Sequence, residues 1–80
     1  HAGFTQKVAA SYAAKYEICA LKLKDIPHYK FKALGLKIRA DKIHKKELIN
    51  KGYLKALSKE KKSAWLIPLK KCKKIANQLK

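Results

Sequence analysis

Residues 68–80 read Pro68-Leu69-Lys70-Lys71-Cys72-Lys73-Lys74-Ile75-Ala76-Asn77-Gln78-Leu79-Lys80. Leu69, Cys72, Ile75, Ala76 and Leu79 recur with the period of one helix face. Lys70, Lys71, Lys73, Lys74 and Lys80 cover the other face. Pro68 either kinks a longer helix or begins this one, because it lacks the N–H that a helix interior requires. The apolar stripe holds Cys72. The other cysteine, Cys19, falls in a second helical pattern near the start of the chain. A bridge between them would make the first and last helices neighbours. The expected fold is therefore all-α: a compact bundle of four or five short helices, with its N- and C-terminal helices joined by one disulfide.

Upstream, Phe4, Val8, Tyr12, Tyr16, Cys19 and Leu23 share a helical spacing, which predicts a first helix from about Thr5, its cap, to Lys24. Asp25-Ile26-Pro27 restarts the chain, with Asp25 as a cap and Pro27 in a first turn. A short second helix is expected from Pro27 to Leu34, stopped by Gly35. Asp41 then caps a third helix from Lys42 to Lys51, which Gly52 ends. Tyr53 to Leu57 reads as a brief turn or small fourth helix. Ser58 caps the next segment, and Glu60 suits its first turn. There is no repeat and no linker, so residues 1–80 are expected to form a single cationic helical domain.

An 80-residue chain buries only about 60% of the surface its unfolded form exposes, so a staple is expected. The disulfide would close a loop of about 54 residues, which contributes roughly 4 kcal/mol in the chain-entropy model. A bridge in a small domain points to an oxidising compartment. The first residue, His1, is not Met, as in a chain that has lost a signal peptide. Secretion is the expectation.

Charge dominates function. Lys and Arg number 21 against five acidic residues, a net charge of +16. Such density opposes compaction and draws in anionic partners. All the basic residues but Arg39 are lysines. Arginine supplies the planar fork that reads guanine edges, whereas lysine is a hydrated point charge suited to diffuse attraction.

The stretch from Ser58 to Lys80 places Trp65, Leu66 and Ile67 between lysine clusters. Tryptophan favours the water–headgroup boundary, and each lysine near an anionic surface contributes roughly 1 kcal/mol. Lys61, Lys62, Trp65, Lys70, Lys71, Lys73 and Lys74 are thus the candidate membrane- and anion-binding residues. The competing reading makes Trp65 a core filler and leaves only the lysine face to act. His28-Tyr29-Lys30-Phe31-Lys32 interleaves aromatic and basic residues, as base-stacking platforms do.

Signs of catalysis are weak. Asp25, Asp41 and Glu60 occupy cap or first-turn positions, leaving Glu17 and Glu47. A general acid needs a raised carboxyl pKa, which a positive field opposes. His1 could chelate copper through its amine and ring, but nothing specifies a second ligand. His1, His28 and His44 read as unrelated surface histidines. There is no zinc-protease helix motif, phosphate loop or nucleophile elbow. A non-enzyme without metal or cofactor is expected.

In charge, size and helicity the chain resembles cationic helical antimicrobial domains, without the six-cysteine framework of the saposin-like group. The leading expectation is a secreted host-defence protein that binds and perturbs anionic membranes. The alternatives are a polyanionic-glycan binder, a nonspecific nucleic-acid binder, and a small carrier whose lysines would go unexplained.

Overall fold

The long first helix, α1 (Ala2–Leu23), lies at the centre of the bundle and packs against each of the other three helices. Its buried side is built of small residues: Ala10, Ala13, Ala14 and Ala20 accompany Ile18, Cys19 and Leu23. Alanines let neighbouring helix axes approach at the short end of the usual range. The computed structural model of the chain describes residues 2–47 and 50–79, with side chains from residue 6 onward. His1, the Phe4 side chain and Lys80, all named above, lie outside it.

A turn at Lys24–Ile26 leads to a single 3₁₀ turn at Pro27–Tyr29, then α2 (Lys30–Glu47), α3 (Lys51–Ala64) and α4 (Leu69–Asn77). The described residues contain no strand. The molecule measures 39 × 22 × 18 Å. The Cys19–Cys72 disulfide joins α1 to α4 across a Cα–Cα distance of 5.1 Å, the pairing expected from the sequence.

The core divides in two. One cluster joins Ala10, Ala13, Ala14 and Ile18 of α1 to Tyr53, Leu57 and Ala64 of α3. The other gathers Cys19, Ala20 and Leu23 around Ala33 and Leu36 of α2 and Cys72 and Ala76 of α4. Ile67, between α3 and α4, packs against both.

Several local expectations are corrected. Helix α1 begins before Thr5, so Thr5 is not its cap. Val8 (41%) and Tyr12 (51%) are exposed, because the alanine side took the core in place of the larger residues. Ile26, not Asp25, precedes the 3₁₀ turn. Helix α2 runs through both Gly35 and Asp41. An interior glycine costs about 1 kcal/mol, which the burial of Ala33, Leu36 and Ala40 offsets. Gly35 has no positive φ, and a Cβ there would already touch Leu79 Cδ1 at 3.5 Å. Gly52 lies in the first turn of α3 instead of ending a helix. A side chain at Gly52 would collide with Gln6, whose Nε2 donates to Asn50 Oδ1 at 2.6 Å. Ser58 is interior to α3, since Tyr53, Leu57 and Ala64 keep one buried face through it.

Candidate anion-binding surface

Helix α3 closes at Ala64 and the chain turns a tight corner before Pro68, which sits as the N-cap of α4. The corner is held by backbone bonds from Leu66 N to Ser63 O and from Ile67 N to Ala64 O. Lys22 of α1 reaches across to it. Its Nζ donates to Trp65 O at 2.7 Å and to Ile67 O at 2.6 Å, and lies 5.7 Å from the centre of the Trp65 ring. Carbonyls near a helix C-terminus lack helical partners and carry partial negative charge, so a lysine there is favourable.

Pinned this way, the corner turns Ile67 inward and leaves Trp65 (52%) and Leu66 (84%) exposed. Leu69 on the first turn of α4 is partly exposed as well, at 42%. Trp65 is therefore not a core filler.

Lys70, Lys71, Lys73 and Lys74 come together around one shallow groove on α4, with Pro68, Asn77 and Gln78. Lys70, Lys71 and Lys74 are exposed. Lys73 is half-buried, with Nζ 5.6 Å from the Tyr29 ring centre. Lys32 approaches the same ring at 5.5 Å and also donates to Asn77 Oδ1. Asn77 Nδ2 in turn donates to the Tyr29 hydroxyl at 3.3 Å. Tyr29 thus serves two lysines of its own chain, while Phe31 stands 90% exposed. The tract from His28 to Lys32 does not present its aromatics as one platform.

Lys62 is exposed on the last turn of α3. Lys61 points elsewhere: its Nζ pairs with Glu17 Oε2 of α1 at 2.6 Å. A lysine whose charge is neutralised internally contributes little to the attraction of an outside anion. Lys22 and Lys32 join the surface instead. Both act through contacts 43 to 45 positions away in sequence, a separation no local motif reveals.

Glu17 anchors a second polar cluster. His44 Nε2 lies 3.2 Å from Glu17 Oε1, and His44 Nδ1 lies 2.6 Å from the Tyr53 hydroxyl. His44 is therefore not an isolated surface histidine. Burial pushes the Glu17 carboxyl up, but Lys61 and His44 more than offset this and hold it below its ordinary value of 4.5. A carboxylate only accepts hydrogen bonds, so Nε2 carries the shared proton. In the neutral ring Nδ1 is then free to accept from the Tyr53 hydroxyl. Burial, with Glu17 and Glu47 nearby, pushes the Tyr53 phenol up to about 12. The order Tyr53–His44–Glu17 has the outline of a catalytic relay. Yet Tyr53 is fully buried, and an activated nucleophile needs access and a lowered pKa. The cluster ties α1, α2 and α3 together.

No group of three or more His, Cys, Asp or Glu side chains gathers into a metal-binding set among the described residues. No helix among them is long and apolar enough to cross a membrane. Compared with protein-family models, curated proteins and solved structures, the chain shows no match to any of them.

Proposed function

We propose that this protein is a secreted cationic host-defence protein that binds and perturbs anionic membranes. The observation that carries the reading is the corner between α3 and α4. Exposed Trp65, Leu66 and Leu69 adjoin the lysines of α4 on a chain of net charge +16. Coulomb attraction draws the lysine surface to acidic headgroups, and the corner then settles its apolar side chains at the headgroup–acyl boundary. Long lysine stems lie along the apolar boundary while their ammonium groups stay with the phosphates.

The same lysines would also be drawn to heparin-like glycans or nucleic acid. Exposed Trp65 and Leu66 favour lipid, because a purely ionic partner leaves both in water. The test uses vesicles loaded with a self-quenched dye. Leakage is expected from vesicles containing anionic phosphatidylglycerol and not from zwitterionic ones. Heparin or DNA should compete only by occupying the lysines. Tight heparin binding without any leakage would move the function to polyanion capture.

A further inference from the structure

Helix α2 carries two apolar faces. A helix turns about 100° per residue. That places the buried Ala33, Leu36 and Ala40 on one side and Phe31, Leu34 and Ile38 nearly opposite. The second set faces solvent: Phe31 is 90% exposed, Leu34 55% and Ile38 47%. Leu34 walls a groove that Leu21 of α1 also lines, and Ile38 walls another that Tyr12 lines. Both α1 residues are themselves about half exposed. The result is an apolar ridge on the outside of the bundle, covered by no other described element. Lys30 and Lys37 flank it on one side, Arg39 and Lys42 on the other. Glu17 and Asp41 are acidic side chains lining the first groove; Lys61 pairs with Glu17, and Lys24, Lys30, Lys37, Arg39 and Lys42 outnumber the two.

Charge selects the occupant. A second copy of this chain would bring two molecules of net charge +16 into contact along their basic flanks. An anionic bilayer interface meets both features: acyl chains for the ridge and phosphates for the flanks. We propose that the α2 ridge inserts into the interfacial layer of an anionic phospholipid bilayer, as a contact face separate from the Trp65 corner. This rests on the membrane reading above and deepens it by naming a second face.

The test places the tryptophan reporter on the ridge of the full-length chain, as F31W/W65F, and uses vesicles of phosphatidylglycerol with brominated acyl chains. Blue-shifted and quenched emission is expected on binding. Unchanged emission while the protein still cosediments with vesicles would overturn the inference and leave the membrane reading standing. Failure of the unaltered protein to cosediment with anionic vesicles would overturn both. As a second arm, F31N/L34N/I38N alters only exposed side chains and should keep the helical circular dichroism. Its affinity for the same vesicles should fall roughly tenfold or more. Unchanged affinity would contradict the inference. So would a lipid-free dimer in sedimentation that this variant abolishes, because a second copy would then be the occupant.

Discussion

The two halves of the core are held by different chemistry. Where α1 meets α2 and α4, the fully buried Cys19–Cys72 bridge sits among Leu23, Leu36 and Ala76. Where α1 meets α3, no covalent link exists. Alanines pack against Tyr53 and Leu57, and Glu17, His44 and Lys61 join the helices along the edge. The first half depends on the oxidation state of its cysteines and carries no ion pair among the described residues; the second carries ion pairs and no disulfide. A small domain carrying this much repulsion thus stabilises its shortest, most lysine-rich helix covalently. Non-covalent packing suffices for α3, which has 14 residues against the nine of α4.

The sharpest way to break this contrast is to remove the bridge. C19A/C72A should lose about 4 kcal/mol, from a loop spanning 53 positions, measured by urea unfolding. Native-state hydrogen exchange should show the loss of protection concentrated in α4. Uniform loss across α3 as well would erase the distinction between the halves. On the opposite side, A13L crowds the α1–α3 contact at a fully buried position and should destabilise by about 1–3 kcal/mol. Reducing agent and A13L should then act additively, since they strike separate clusters.

A smaller effect is expected from Y53F, which keeps the ring and removes the hydroxyl facing His44. The loss should be about 1 kcal/mol, with the absorbance step for phenol ionisation near pH 12 disappearing. In the unaltered protein that phenol has a raised pKa. Its contribution is fully present below the ordinary value of 10.0 and is lost as pH rises from there to about 12. The smallest effect comes from acid. Glu17 has a depressed pKa, so its contribution is present above 4.5 and fades as pH falls through its lower folded value. The stability gap between E17Q and the unaltered protein should therefore narrow below pH 4.5. A gap that stays constant into acid would mean that the Glu17 charge does not stabilise the fold.

The same contrast explains what could be read before the structure was known. Helix α4 and the disulfide were legible because a short, lysine-coated helix advertises its apolar stripe strongly, and Cys72 lies on it. Helix α1 was legible as a helix but not as a surface. Alanine is small and offers little apolar surface, so the larger Val8 and Tyr12 outweighed Ala10, Ala13 and Ala14 in the reading of the sequence. The continuity of α2 was hidden by Gly35 and Asp41, whose local preference for ends yields to burial on either side of them. Its two opposed apolar faces also blur the amphipathic signal. Within the candidate surface, the α4 lysines and Trp65 could be found from sequence. The diversion of Lys61 to Glu17, and the recruitment of Lys22 and Lys32, depend on contacts between distant segments.

The claim on which the functional reading rests is attraction between the lysine exterior and an acidic bilayer. The direct measurement is the partition constant of the unaltered protein on phosphatidylglycerol vesicles across a salt series, with phosphatidylcholine vesicles alongside. Strong binding to the acidic vesicles that weakens steadily as salt rises, with little binding to the neutral ones, is the expected result. Equal partition onto both surfaces, or affinity indifferent to salt, would contradict it.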